Sequence, residues 1–140
     1  MLARKEDQLV VLNGNTMFKH EANFGLTFRS WFRANKKKFE SCVFELKDTR
    51  GAVTFSVKEW KEEQRDHALA CKSDEGNLMR FSSGTTGMPD YGYYRNAYAY
   101  VVIKYSKAFY VIDADDLIMW KHKAITETEA ESIAIHSVLL

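Results

Sequence analysis

A carboxylate and an ammonium two residues apart are the side chains of this sequence best suited to chemistry. Glu45 and Lys47 lie in the segment 43–49, whose residue pattern predicts a β-strand. Side chains on a strand alternate between its faces, so these two would share one face and Phe44 and Leu46 the other. A carboxylate and an ammonium side by side on a rigid strand could hold a divalent cation and a phosphate together. The simpler interpretation is an ion pair on a solvated strand, since Glu and Lys are usually exposed.

The segment before this strand has helical periodicity. Four aromatic residues recur at the spacing of one helix stripe between residues 21 and 35: Phe24, Phe28, Trp31 and Phe32. Glu21 lies at the N-terminal extension of that stripe. Residues 8–12 could form a short strand earlier in the chain.

A hairpin and a second helix are predicted after the strand. Residues 52–55 follow a turn at Arg50-Gly51 and would pair with the Glu45 strand as a hairpin. Ser56 and Glu59 have the spacing of a capping box, which predicts a helix from there to about Lys72.

Gln64 is the one polar residue on the inward stripe of this second helix. A buried amide needs partners, because leaving it unpaired costs roughly 1–3 kcal/mol. The helix could therefore aim Gln64 at Glu45 and Lys47, or Gln64 could simply bond to backbone.

The remainder of the chain alternates strands and helices. Strands are predicted at 76–82, 99–105 and 108–112, a short helix at 114–122, and a capping box at Thr126 to Glu129. Residues 83–90 are predicted to be a loop. This order predicts an α/β fold, a mixed central sheet flanked by helices.

Composition indicates one domain over residues 1–140, with a core at about 20–122. Net charge is +1, but a basic run could form a local phosphate-binding patch or a solvated helix end: Arg29, Arg33, Lys36, Lys37 and Lys38. The two cysteines support neither a disulfide scaffold nor a zinc finger, and both are predicted to be core. No membrane span or signal peptide is predicted, so a reducing cytoplasm is expected.

Several of these segments together resemble a known family. Residues 44–49, Phe55-Ser56, the helix with Glu63-Gln64, and the strands at 98–105 and 109–112 resemble the RecU-type Holliday-junction resolvases. The resemblance implies the restriction-endonuclease-like, PD-(D/E)xK fold. It covers roughly residues 20–120, and the Glu-x-Lys pattern alone would be a weak signal.

The resemblance also implies roles for individual residues. Glu45 would bind a metal, Lys47 would position or activate the attacking water, and Gln64 would accompany them. Glu21 would point toward the metal from the first helix. The family's usual upstream Asp is missing, and either Glu40 or Asp90 could replace it; Asp90 is favoured, although a Pro-Asp turn is the common role of such a residue.

The function expected from this resemblance is Mg²⁺-dependent, structure-selective cleavage of DNA, with Mn²⁺ as a substitute ion. The substrate would be branched double-stranded DNA, most specifically a Holliday junction, in a bacterial or phage-infected cell. Symmetric cutting of a two-fold junction implies a homodimer. The alternatives are a nuclease of the same fold that cuts other DNA structures, and a catalytically incomplete DNA-binding or assembly protein.

Overall fold

A five-stranded mixed sheet forms the centre of the part of the chain that the computed structural model describes, residues 9–13, 42–82 and 89–139. Its strands lie in the order β1-β2-β6-β7-β9: β1 (Leu9–Asn13), β2 (Cys42–Asp48), β6 (Tyr98–Lys104), β7 (Ala108–Asp113) and β9 (His136–Leu139). The strand β2 is parallel to both of its neighbours, β1 and β6, whereas β7 and β9 are antiparallel to theirs. The strand that carries Glu45 and Lys47 is therefore inside the sheet.

Two small antiparallel pairs accompany the central sheet in the described residues. β3 (Thr54–Ser56) pairs with β8 (Ala124–Thr126), and β4 (Asn77–Ser82) pairs with β5 (Pro89–Tyr94). The predicted strands at 8–12, 76–82, 99–105 and 108–112 are confirmed to within about two residues. Pro89 and Asp90, which were predicted to belong to the 83–90 loop, lie instead in β5.

The predicted hairpin between the Glu45 strand and residues 52–55 is wrong. β3 pairs with β8 and not with β2. The reason is that β1 and β6 occupy both edges of β2, which leaves no edge for a hairpin partner. The chain turns away after β2 through Arg50 and Gly51, whose φ angles are 55° and 82°.

The second helix begins later than its predicted capping box. Ser56 makes no side-chain cap hydrogen bond, and it is followed by a short 3₁₀ turn at Val57–Glu59. The sheet holds this part of the chain, because Ser56 is paired with Ala124 and the backbone N–H of Val57 donates to the carbonyl of Lys123. The α-helix proper, α1, spans Glu62–Lys72, which confirms the predicted end.

Two short helices complete the described structure. α2 (Ala114–Ile118) is shorter than the predicted 114–122 helix, and the Asp113 carboxylate caps it by accepting from the backbone N–H of Asp115 at 2.9 Å. α3 (Glu127–Ile133) confirms the predicted capping box. Its Thr126 hydroxyl accepts from the Glu129 N–H at 3.2 Å, and Glu129 Oε1 accepts from the Thr126 N–H at 3.0 Å.

The buried residues form two clusters on the two faces of the sheet. Phe44 and Leu46 lie in one cluster with side chains of β6 and β7. Val43 lies in the other, together with Ala68 and Cys71 of α1. The predicted alternation along β2 is thus confirmed, and Glu45 and Lys47 lie on the face that α1 covers.

The coarse fold class predicted from the sequence is confirmed, since the described chain combines a multi-strand mixed sheet with helices. None of the helices in the described ranges is both long and apolar enough to cross a membrane. The helix predicted over residues 21–35 lies outside the described residues.

Candidate functional site

Glu45 and Lys47 form a buried ion pair on the central strand β2. The Nζ atom of Lys47 lies 3.3 Å from Oε1 of Glu45, and only 2% of the Glu45 side chain and 14% of the Lys47 side chain are exposed. Acidic side chains are almost never fully buried unless a partner offsets their charge. The simpler interpretation, an ion pair on a solvated strand, therefore does not describe this pair.

Gln64 joins this pair from α1. Its Oε1 atom accepts a hydrogen bond from Lys47 Nζ at 2.9 Å and a second from the backbone N–H of Lys61 at 3.1 Å. The structure thus brings together the three residues predicted to be catalytic, one carboxylate, one ammonium and one amide. They come from two elements, because Glu45 and Lys47 lie on β2 and Gln64 on α1.

The position of Gln64 in α1 explains why its amide is held. Gln64 is the third residue of the helix, and the residue at this position typically reaches back to the N–H of the cap residue. Lys61 is that cap residue. The capping box predicted at Ser56 and Glu59 is therefore wrong. The first turn of the helix is closed five residues later, where Gln64 accepts from the N–H of Lys61.

The Lys47 ammonium contacts Gln64 and Glu45 with different geometry. The bond to Gln64 satisfies hydrogen-bond geometry, whereas Glu45 Oε1 lies at ion-pair distance without that alignment. An ammonium carries three N–H donors. In the described residues Lys47 makes no other polar contact, so it retains donor capacity for an external oxygen atom.

The other predicted site residues cannot be placed in the same way. Glu21, Glu40 and the whole basic run lie outside the described residues: Arg29, Arg33, Lys36, Lys37 and Lys38. Asp90 is described only through its backbone, which pairs with Phe81 in the two-stranded β4–β5 sheet. Within residues 9–13, 42–82 and 89–139 no group of three or more acidic, His or Cys residues is arranged to hold a metal ion. Of the predicted metal ligands, Glu45 is the one whose side chain the structure describes.

A second charged cluster lies at the other end of α1. Lys72 Nζ is 3.3 Å from Asp113 Oδ1 and also contacts Asp115 Oδ2. Burial lowers the pKa of Lys72, but the hydrogen bond with Asp115 and the charge of Asp113 outweigh it, so the pKa lies above its ordinary value. This cluster ties the end of α1 to the start of α2, and it provides a solvent-facing ion pair for comparison with Glu45 and Lys47.

A pair formed by a buried tyrosine and a half-buried carboxylate lies near α3. The hydroxyl of Tyr110 donates to Glu127 Oε2 at 2.8 Å. Burial, together with this bond and the charge of Glu127, raises the pKa of Tyr110 to about 12. Tyr110 therefore stays protonated at neutral pH and has a structural role in joining β7 to α3.

Comparisons with protein-family models, with curated proteins and with solved structures found no match to this chain. The resemblance to RecU-type resolvases therefore depends on the motif residues of the sequence itself.

Proposed function

We propose that this protein is a metal-dependent, structure-selective DNA endonuclease, and most specifically a Holliday-junction resolvase. The observation that supports the proposal is the convergence of Glu45, Lys47 and Gln64. A buried carboxylate held beside an ammonium is a costly arrangement for stability alone, since an apolar pair of similar size is often as stable or more so. A buried ionisable group with a specific charge partner is a candidate for a functional site.

Each of the three side chains has a distinct task in this proposal. The charge that develops on a phosphate during hydrolysis is best stabilised by a fixed positive group, and the Lys47 ammonium is fixed on β2. Glu45 supplies carboxylate oxygen, the donor that hard divalent cations prefer. Gln64 holds the ammonium from the side of the helix.

The proposed cofactor is Mg²⁺, with Mn²⁺ as a substitute. Glu45 would hold it together with Glu21 and Asp90, a set that offers only oxygen ligands. A bound divalent cation lowers the pKa of water and stabilises charge on a phosphate. Glu40 is the alternative to Asp90 in this set.

The finer fold assignment is part of the proposal. The strand with Glu45 is central, and the connection from it to the parallel strand β6 contains α1 with Gln64. This agrees with the restriction-endonuclease-like arrangement in which a helix covers the catalytic strand. Phosphates of branched DNA would contact the basic run of residues 29–38, and two subunits would act on the two opposing strands of a junction, in a cytoplasmic setting.

The test is a cleavage assay on a synthetic four-way junction and on a linear duplex of the same sequence, with Mg²⁺, Mn²⁺ or neither. Glu45→Gln and Lys47→Met remove the two charges with little change in size. Lys72→Met is the matched control, because it removes an ammonium from an ion pair at the other end of α1. We expect junction cleavage by the wild type and by the control, and a loss of at least about 100-fold in both site variants.

Three outcomes discriminate between the functions. Paired nicks on opposing strands of the junction, with no cutting of the linear duplex, support a resolvase. Equal cutting of the linear duplex supports a nuclease of the same fold with another substrate. Tight binding of the junction without cutting in either ion contradicts the enzyme and supports a DNA-binding or assembly protein. Glu21→Gln, Asp90→Asn and Glu40→Gln then identify which acids complete the ion site.

A further inference from the structure

The side-chain amide of Gln64 has an orientation that chemistry alone determines. Two donors, Lys47 Nζ and the Lys61 backbone N–H, converge on the same amide atom at 2.9 and 3.1 Å. An ammonium and a backbone N–H can only donate, so this atom must be the oxygen. The usual ambiguity between the oxygen and nitrogen of an amide does not arise here.

These two hydrogen bonds to one oxygen atom join the strand β2 to the start of α1. Lys47 has a long, flexible side chain, and its contact with Glu45 lacks the alignment of a hydrogen bond. The aligned contact of its ammonium is the one to Gln64. Gln64 is the third residue of α1, and its oxygen also accepts from the backbone N–H of Lys61.

We propose that Gln64 is a positioning residue, which fixes the Lys47 ammonium by direct contact so that its remaining N–H donor capacity is held ready for an oxygen atom of a phosphate. The catalytic consequence rests on the proposed function, whereas the positioning itself does not. The competing explanation is that Gln64 merely caps α1 and that its contact with Lys47 has no effect on the ammonium.

Three substitutions separate these explanations. Gln64→Met removes the strong acceptor but keeps the length and the helix propensity of the side chain. Gln64→Glu keeps an acceptor oxygen at a position where Glu is a normal cap partner. Lys61→Pro removes the N–H donor of the cap together with the exposed Lys61 side chain, and the φ angle of −65° at Lys61 is the angle that proline adopts.

The first measurement is the mobility of the Lys47 ammonium, taken from ¹⁵N relaxation of lysine side chains, with the exposed Lys107 as the internal reference for a mobile group. We expect Lys47 to be ordered in the wild type, in Gln64→Glu and in Lys61→Pro. In Gln64→Met we expect its mobility to approach that of Lys107. If the Lys47 ammonium is as ordered in Gln64→Met as in the wild type, the positioning role is overturned. It is also overturned if Gln64→Met and Lys61→Pro make the ammonium equally mobile, because the effect would then come from the helix cap.

The second measurement is junction cleavage by the same four proteins. We expect Gln64→Met to lower kcat by about 10- to 100-fold with little change in KM, because a misplaced group lowers catalysis more than binding. Gln64→Glu should recover at least part of that loss. If the wild type cleaves no DNA while the relaxation result holds, the proposed function fails and the positioning role stands. If the wild type cleaves junctions strongly but the mobility of Lys47 is unchanged in Gln64→Met, the positioning role fails and the proposed function stands.

Discussion

Removing the Lys47 ammonium should destabilise this protein far more than removing a typical surface lysine. Lys47→Met would leave the Glu45 carboxylate, which is 2% exposed, without the positive charge 3.3 Å away. At that distance, and at an effective dielectric constant of about 20, the Coulomb attraction is about 5 kcal/mol. Breaking a buried ion pair typically costs about 3–5 kcal/mol. Since Lys47 is still 14% exposed, we expect the lower end of that range, about 3 kcal/mol.

The charge explanation also predicts what a second substitution does. Glu45→Met replaces the carboxylate with an apolar side chain of similar length, so the double variant Glu45→Met, Lys47→Met leaves neither half of this ion pair buried without the other. We expect its free energy of unfolding to lie within about 1 kcal/mol of the wild type. The coupling energy of the two substitutions should therefore exceed about 2 kcal/mol, well above the value for independent positions.

The assay is urea denaturation of the wild type, the two single variants and the double variant. Lys72→Met and Asp115→Asn, singly and together, form the control set for an exposed pair, with side-chain exposures of 22% and 58%. Their coupling should stay below about 1 kcal/mol. A loss below about 1 kcal/mol for Lys47→Met, equal to that of Lys72→Met, would refute the reasoning and return the pair to the class of surface ion pairs.

Three further predictions concern local features. Gly76→Ala should lower the free energy of unfolding by about 2 kcal/mol or more in urea denaturation, because φ is +77° and the new Cβ would lie 2.6 Å from a carbonyl oxygen of β5. Gly51→Ala is the control, because its φ is +82° but the space around it is open, and it should cost only about 1 kcal/mol. Equal losses in the two variants would contradict the clash at Gly76. Thr126→Ala should cost about 1 kcal/mol by removing the cap of α3, whereas Thr126→Ser should not. Burial lowers the pKa of His136, so stability is present above its ordinary pKa of 6.5 and is lost as pH falls through the lowered value. His136→Gln should flatten the decline in stability as the pH falls below 6.5, and an unchanged decline would contradict this.

The strands of this fold were well predicted because their signals are local. Alternating residues located β2, and the apolar runs located β6 and β7. The cap of α3 was also predicted correctly, since a capping box involves only residues three apart. Each of these patterns depends on neighbours within one element.

Pairing between elements was predicted less well. The hairpin prediction for β2 failed because a turn sequence says only that the chain turns, and not which edge is vacant. The edges of β2 are occupied by β1 and β6, which lie far from it along the chain. A local sequence pattern does not contain that information.

The candidate site was predicted in the same partial manner. Helical periodicity suggested that Gln64 could face the pair on β2, and the bond from Lys47 to Gln64 confirms that contact. The start of the helix was predicted five residues too early, at Ser56 and not at Lys61, because a capping-box pattern is local whereas Ser56 is held by its pairing with Ala124. The metal-binding roles of Glu21 and Asp90 stay predictions.

The parallel pairing of β2 with β6 has a consequence for how the protein reaches its native state. Cys42 is in register with Tyr98, so the strands meet only after the long intervening chain, with α1 and the β4–β5 pair, has closed on itself. The chain loses loop-closure entropy before the pairing of β2 with β6 contributes any favourable free energy. Folds dominated by such distant pairings refold in milliseconds to seconds and not in microseconds. The contact between Lys47 and Gln64 spans 17 residues and is more local than this pairing, but a nascent chain released before residue 104 would lack the strand that completes the support of the site.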